Sequence, residues 1–323
     1  MVTKENDTTV CILLASYNGG KFIRKQLESL VAQSYTNWSL FVRDDKSTDE
    51  TINILEEFVL KDSRISLLKD DLGKQGSCQN FGLLIRLTRN KFPYYMFCDQ
   101  DDFWYEFKVE ETLQKMRELE KGHQHKRPLL VYTNFQYVDD ELNTIEEKKN
   151  YESTKVPKLS FSHLLAQNPI YGCTMMFNNE LVKAIDEVPM QAENHDYWVA
   201  MVASAFGEIF YYRKKTILYR QHQNNISTKH DNSSFRKRLQ RILIYGKNFE
   251  DAAAKLTMAL AFKQKFYSQL NDKARLALDE FISFSTSKNI FLLVKNIRRG
   301  VRRQTLSQTL LFYGSILLLK KPD

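Results

Sequence analysis

The sequence contains no long apolar run and has few glycine and proline residues. Its 323 residues include 11 Gly and 6 Pro, and 43% of all residues are hydrophobic. This composition excludes a low-complexity or disordered chain. No stretch of 18 or more consecutive apolar residues occurs, which excludes a helix that spans a bilayer. The length allows one large domain, or one domain with an appendage.

Cysteine is also scarce, and the four residues are far apart. Cys11, Cys78, Cys98 and Cys173 form no C-x-x-C pair. This spacing excludes a disulfide scaffold or a zinc ribbon and predicts free, mostly buried thiols in a reduced compartment. The first seven residues contain no apolar signal core. We therefore expect an intracellular protein.

The formal charge of +8 is distributed unevenly along the chain. Residues 231–323 contain 18 Lys and Arg against 7 Asp and Glu, whereas residues 1–230 carry a net charge of −3. We predict a catalytic domain over residues 1–230 and a basic helical region over residues 231–323. Basic helices rich in apolar residues are typical of an anionic membrane surface, although a helical subdomain with a solvated basic face is an alternative. Nucleic acid is not expected as a partner, because no recognition module is evident.

The first 140 residues alternate short apolar runs with segments of helical periodicity. Strands are predicted at residues 10–15, 38–43, 65–68, 94–98 and 129–133. Such alternation predicts an α/β fold with a parallel, doubly wound sheet. Further strands are predicted at residues 173–177, 209–212 and 217–219, the last two paired around a turn at residues 213–215. A helix is predicted at residues 196–206, and the chain from about residue 233 onward is predicted to be helical.

Carboxylates follow two of the predicted strands. Asp44 and Asp45 come after the second strand, and Asp99, Asp101 and Asp102 come after the fourth. Ligands of doubly wound sheets bind outside the carboxyl ends of the strands. Three acids within four residues repel one another unless a cation lies between them, and Mg²⁺ or Mn²⁺ prefers carboxylate oxygens. The alternative is a solvated acidic turn before a helix.

The turn after the first strand, residues 16–20, is small and contains two adjacent glycines. It allows a nucleotide to approach closely, although such a turn can equally be structural. The sequence G-x-x-x-x-G-K-[ST] is absent, which excludes a P-loop protein. Phe103 and Trp104 follow the acidic segment and predict a strand end that opens onto a lined pocket.

Several motifs, taken in order, resemble those of inverting GT-A glycosyltransferases of family 2. They are ASYNGG at 15–20, VRDDKSTDET at 42–51 and FCDQDDFW at 97–104, the last followed by Lys108 and similar to the D-x-D motif of that family. Residues 195–198 and 219–222 resemble the rhamnosyltransferase-like branch, which builds bacterial cell-surface polysaccharides. The resemblance covers about residues 8–228. It implies a Rossmann-like, mostly parallel sheet flanked by helices, with a C-terminal helical extension.

The resemblance also implies roles for individual residues. The implied donor-binding residues are Ser16, Tyr17, Asn18, Asp44, Asp45, Asn80, Asp99 and Arg220. The implied ligands of Mn²⁺ or Mg²⁺ are Asp99, Asp101 and His222. Asp196 aligns with the catalytic base, and its alternative role is that of a helix N-cap. The sequence departs from the family at Lys46 and near Lys74, where many members have Gly and Asn.

These roles imply a single displacement that inverts the sugar. The anomeric carbon becomes cationic in the transition state, and a carboxylate on the opposite face accepts the proton of the acceptor hydroxyl. We expect a metal-dependent glycosyltransferase that moves a sugar, with dTDP-rhamnose as the candidate donor, to a polyprenyl-linked saccharide at the inner face of the plasma membrane. A UDP-hexose donor is one alternative. A non-catalytic nucleotide-sugar-binding subunit is another, but it would have lost Asp101 or Asp196.

Overall fold

The computed structural model describes residues 8–123, 125–145, 159–222 and 247–319. The strands are β1 (Val10–Ser16), β2 (Trp38–Asp44), β3 (Ile65–Leu68), β4 (Tyr94–Cys98), β5 (Phe103–Trp104), β6 (Leu129–Val138), β7 (Met175–Asn178) and β8 (Glu208–Arg220). The helices of the sheet region are α1 (Ile23–Val31), α2 (Thr51–Lys61), α3 (Ser77–Thr88), α4 (Lys108–Lys121), α5 (Phe161–Leu164), α6 (Asn179–Ile185) and α7 (His195–Phe206). Four more follow, α8 (Lys247–Phe266), α9 (Asp272–Ser287), α10 (Ile290–Arg298) and α11 (Leu306–Leu318).

Strand β1 lies in the middle of the parallel part of the sheet and is buried on both faces. Val10, Ile12 and Leu14 belong to one hydrophobic cluster, together with side chains of α1, α2 and α4. Cys11 and Leu13 belong to a second cluster, together with side chains of α3 and α7. A strand covered on both faces needs apolar residues at every position, which explains the continuous apolar run in this part of the sequence.

The strands form one mixed sheet in the order β3-β2-β1-β4-β7-β6-β8-β5. The predicted parallel arrangement is confirmed for β1 to β4, and β7 then pairs antiparallel with both β4 and β6. Parallel strands bring their carboxyl ends to one edge. Ser16 pairs with Asp44, and Leu14 pairs with Cys98. The acidic segment after β4 therefore begins beside the turn that follows β1.

The predicted strand pair near the end of the sheet region is wrong. Residues 208–220 form a single strand of 13 residues, β8, which runs parallel to β6. The register shifts there: Thr133 pairs with Tyr212, but Asn134 pairs with Lys215, which leaves Arg213 and Lys214 outside the pairing. A bulge of this kind absorbs extra residues and bends the strand. The basic run that resembled a turn is therefore part of the strand.

Another difference concerns the strand predicted at residues 173–177. Residues Gly172–Thr174 form a 3₁₀ turn, and β7 begins only at Met175. The turn matters for the site, because it brings the backbone of Gly172 against the start of α7, where the Gly172 amide bonds to the Asp196 carboxylate.

The C-terminal helices pack into the same hydrophobic core as the sheet. The ring of Phe262 on α8 lies 5.4 Å from that of Trp198 on α7, and both belong to one cluster. The helical prediction is confirmed for residues 247–319, whereas residues 233–246 lie outside the described part. The boundary at 230/231 also lies outside it and stays a prediction. None of the described helices is long and apolar enough to cross a membrane.

Candidate functional site

The turn after β1 is connected to the end of β2 by short hydrogen bonds. Ser16 Oγ and Ser47 Oγ donate to Asp44 Oδ1 at 2.8 and 2.6 Å, and the Ser47 amide donates to Asp44 Oδ2 at 2.7 Å. Asn18 has the left-handed φ of 47° and accepts from the Thr48 amide at 2.9 Å. The structure thus brings together the predicted donor residues Ser16, Asn18 and Asp44.

Asp45 and Asn80 are buried and hold the loop beside this turn. Asp45 accepts from Arg43 NH1 at 3.1 Å and from the amides of Gln75 and Gly76 at 2.7 and 2.8 Å. Asn80 Nδ2 donates to the carbonyl of Arg43 at 3.1 Å. Asp45 therefore fixes the loop at residues 75–76, and Asn80 fixes the end of β2.

The Tyr17 side chain is the solvent-exposed part of this region. It is 40% exposed, and Lys74 Nζ lies 3.5 Å from the ring centroid. Gln100, the middle residue of the D-x-D sequence, accepts from the Tyr17 amide at 2.9 Å and donates to its carbonyl at 3.0 Å. A Cβ on Gly19 would lie 2.3 Å from Gln100 Oε1, so a side chain there would displace Gln100 from the Tyr17 backbone. The role of Gln100 was not predicted from the sequence, because a spacer between two acids carries no signal of its own.

The end of β8 meets the acidic segment. His222 Nε2 lies 2.7 Å from Asp101 Oδ2. The Arg220 amide donates to Asp102 Oδ1 at 3.2 Å, and Arg220 Nε donates to the Asp101 carbonyl at 2.8 Å. The predicted residues Asp101, Arg220 and His222 are therefore neighbours, although about 120 residues separate the acid from the other two.

The acids of this segment differ in their surroundings. Asp102 is fully buried, and the charge of the buried Lys108 ammonium reaches it. Asp99 and Asp101 are partly exposed. Burial, and then the charges of Asp101 and Asp196, raise the pKa of Asp99 to about 7. Burial, and then the charges of Asp101 and Asp99, raise the pKa of Asp102 well above its usual value, so the acids of this segment crowd one another.

Among the described residues, one group of three candidate ligand atoms lies close enough together to hold a cation. One atom each of Asp99, Asp102 and Cys173 lie within 4.8 Å of one another. Burial raises the pKa of the Cys173 thiol well above its usual value, and a protonated thiol is a poor metal ligand. Asp101 and His222 contact each other at 2.7 Å outside this group, and carboxylate oxygen and imidazole are ligand types found for Mn²⁺.

Asp196 stands in the first turn of α7. Its Oδ2 accepts from the Gly172 amide at 3.0 Å. Burial is the main cause that raises its pKa to about 7. The N-cap residue of α7 is Asn194, so Asp196 does not hold the cap position that the alternative role required. Its carboxylate is partly exposed and lies close enough to Asp99 for the two charges to interact.

Two aromatic neighbours support the site without facing a ligand. His195 stacks on Phe81 at 3.9 Å, and burial lowers its pKa to about 3, so it stays neutral. Trp104 is fully buried, with Lys108 Nζ 4.6 Å from its ring centroid. The prediction that Trp104 lines an open pocket is therefore wrong, because its side chain lies in the hydrophobic cluster with side chains of α1 and α4.

A parallel half-sheet continued by antiparallel strands, with acids at its carboxyl edge, is the arrangement of GT-A glycosyltransferases. The family model described as Glycosyl transferase family 2 matches residues 11–181. The chain belongs to that family, and the resemblance noted in the sequence is confirmed.

Two curated relatives are glycosyltransferases. The dTDP-rhamnosyl transferase RfbG of Shigella flexneri is 29% identical over 262 residues, which cover 77% of this chain and 84% of the relative. The UDP-Glc:alpha-D-GlcNAc-diphosphoundecaprenol beta-1,3-glucosyltransferase WfaP of Escherichia coli is 26% identical over 198 residues, covering 61% and 70%. The protein is thus a glycosyltransferase with relatives in both activities.

Solved structures share the fold. TarS 1-349 of S. aureus in complex with UDP-GlcNAc superposes with a TM-score of 0.56 at 14% identity, over 95% of this chain and 90% of that one. The mannosyltransferase PcManGT from Pyrobaculum calidifontis in complex with GDP-Man and Mn²⁺ gives 0.51 at 12% identity, over 94% and 86%. At these identities the likeness concerns the fold alone, and it confirms the GT-A prediction with C-terminal helices.

Proposed function

We propose that the protein is an inverting glycosyltransferase that moves rhamnose from dTDP-rhamnose to a polyprenyl-linked saccharide in capsule or cell-wall polysaccharide synthesis. The observation that carries the proposal is a group of polar side chains in which His222 Nε2 lies 2.7 Å from Asp101 Oδ2 and Asp196 lies close enough to Asp99 for the two charges to interact. The likeness to RfbG supports the donor, and the diphosphoundecaprenol substrate named for WfaP supports the acceptor.

The donor is held by the carboxyl ends of β1, β2 and β4. In the proposed site, the Tyr17 ring and the turn at residues 16–18 form one side of the nucleotide-binding surface. The Asp44 carboxylate lies at the base of this surface, bonded to Ser16 Oγ. Asp99, Asp101 and His222 would bind Mn²⁺ or Mg²⁺. A divalent cation held by these residues would supply positive charge to the leaving diphosphate. Arg220 fixes the Asp101 backbone through its Nε.

The acceptor hydroxyl is activated by Asp196. A general base works best when its pKa lies near the working pH, and burial raises that of Asp196 to about 7. The Gly172 amide bonds to Asp196 Oδ2, which fixes the orientation of the carboxylate that accepts the proton of the hydroxyl. Attack from the face opposite the diphosphate inverts the anomeric centre.

A binding screen tests the donor. Purified full-length protein is heated with Mn²⁺ and dTDP-rhamnose, UDP-glucose, UDP-GlcNAc or GDP-mannose, and the melting temperature is recorded. We expect dTDP-rhamnose to raise it most, since a ligand at 100 times its Kd adds about 2.7 kcal/mol to the stability. A larger shift with a UDP-sugar would replace rhamnose by a hexose, and no shift with any of them would contradict the proposed activity.

We further propose that the enzyme works at the cytoplasmic face of the plasma membrane, with the outer face of α10 on anionic lipid. On this helix Phe291 is 75% exposed, Ile290 and Val294 are exposed beside it, and Lys295 and Arg298 are exposed on the same side. The opposite side, with Leu292, Leu293 and Ile297, packs on the core. Apolar residues flanked by cations match a lipid interface with anionic head groups.

Vesicle binding tests this surface. Replacing Phe291 by aspartate is expected to weaken binding to phosphatidylglycerol vesicles at least about tenfold, because burying a Phe side chain contributes about 1.5–3 kcal/mol. Leu60 on α2 is a matched control, since it is 88% exposed on a different helix, and Leu60→Asp should bind as the parent does. An equal loss of vesicle binding in both variants would overturn the membrane assignment. So would a parent protein that does not bind the vesicles, or one that dimerises through α10 instead.

A further inference from the structure

Lys255 on α8 is charged yet only 4% exposed. Its Nζ donates to Asp251 Oδ1 at 3.0 Å, one helical turn earlier, and also to Glu193 Oε2. Asp251 accepts in addition from Arg303 NH2. An ammonium removed from water is tolerated only when it is paired. This four-residue cluster therefore fixes the positions of its members tightly.

The cluster connects the C-terminal helices to the residues on both sides of Asp196. Glu193 lies three residues before Asp196, in the segment that leads into α7. Tyr197 follows Asp196 directly, and Lys255 Nζ lies 4.9 Å from the centroid of its ring. The Tyr197 hydroxyl donates to the carbonyl of Leu164 at 2.6 Å. Lys255 thus touches the chain just before and just after the candidate base.

We propose that Lys255 is a positioning residue for sugar transfer, which fixes the first turn of α7, and with it the Asp196 carboxylate, by holding Glu193 and the Tyr197 ring. The proposal rests on the assignment of Asp196 as the base. Without Lys255, the Glu193 carboxylate would lose its counter-ion in a half-buried place and would turn toward water, pulling on the start of α7. A displacement of about 1 Å at a reacting group can lower the rate about 100-fold.

Other lysines of α8 make ion pairs that do not reach this segment. Lys263 pairs with Asp279 on α9 at 2.7 Å, and Lys265 pairs with Asp186 at 2.9 Å. Lys263 therefore provides a matched control, since it lies on the same helix and also bonds a carboxylate.

The first test measures the position of the segment without any substrate. Hydrogen exchange is followed in full-length Lys255→Met and Lys263→Met, at the Trp198 amide, which donates to Asn194 O at 3.1 Å. We expect exchange at residues 194–198 to rise about tenfold or more in Lys255→Met and to stay unchanged in Lys263→Met. Unchanged exchange in Lys255→Met, or an equal rise in both variants, would overturn the proposal.

The second test measures transfer. Lys255→Met should lower kcat about tenfold with little change in the donor KM, whereas Lys255→Arg and Lys263→Met should stay near the parent. Glu193→Gln added to Lys255→Met should recover most of kcat, because no unpaired charge then remains. No recovery in the double variant would contradict the mechanism. If the parent itself transfers no sugar while the exchange result holds, the proposed function fails but the role of Lys255 in fixing the segment stands.

Discussion

Replacing Asp196 by asparagine is expected to lower kcat by about 10²- to 10⁴-fold, the usual contribution of a positioned general base. Asparagine has nearly the same size and keeps an oxygen for the Gly172 amide, which lies 3.0 Å from the carboxylate. The fold and the donor affinity should therefore be unchanged. Steady-state transfer gives kcat, and calorimetry gives donor affinity. A kcat equal to that of the parent would refute the base assignment.

The raised pKa of the Asp196 carboxylate predicts how the reaction depends on pH. Burial, and less strongly the charge of Glu193, raise the pKa of Asp196 to about 7. Below that pH the carboxyl is protonated and cannot accept the proton of the acceptor. We expect kcat to fall about tenfold per pH unit below 7 and to level off above it. A flat profile between pH 5.5 and 7.5 would contradict this role.

The second large effect concerns the cation site. Asp101 is a direct metal ligand in the proposed site. Replacing it by alanine should therefore weaken metal-dependent binding of dTDP or UDP by more than the roughly 10- to 100-fold that loss of an outer-shell partner costs. His222→Ala should act in the same direction, since its Nε2 lies 2.7 Å from Asp101 Oδ2. Calorimetry with Mn²⁺ and with a chelator checks both. The chelator should weaken binding to the parent and make little difference to the variants.

The variant Cys173→Ser tests which set of residues holds the cation. The outer residues are Asp99, Asp101 and His222, and the inner group is Asp99, Asp102 and Cys173. Cys173 lies with Asp99 and Asp102 in the other set of candidate ligand atoms. If the outer residues hold the cation, Cys173→Ser should keep the dependence on Mn²⁺. Loss of that dependence in Cys173→Ser, together with its survival in Asp101→Ala, would move the cation to the inner group and contradict our assignment.

Much of the site could be predicted because its parts lie at strand ends. Asp44 ends a strand rich in apolar residues and Asp99 follows another, and parallel strands bring such ends together. The pairing of Ser16 with Asp44, and of Leu14 with Cys98, follows directly. Gln100 could not be predicted in this way, because its role depends on the exact approach of the turn at Tyr17.

Predictions failed where a residue type fits two environments. The basic run at residues 213–215 is compatible with a turn or with a bulged strand, and only the pairing with β6 decided for the strand. Trp104 is compatible with a ligand platform or with the core, and packing with side chains of α1 and α4 buried it. Nothing in the sequence indicated that Lys255 is buried, since a lysine on a helix is usually solvated.

The sequence by itself determined the alternation of strands and helices, the order of the motifs and the division into an acidic and a basic part. These features are local, since apolar periodicity and residue type depend only on neighbours along the chain. The tertiary structure decided that His222 meets Asp101, that Asp102 has Lys108 within charge range and that Lys255 reaches the segment around Asp196. The physical reason is that each of these contacts depends on how strands and helices distant in sequence pack against one another.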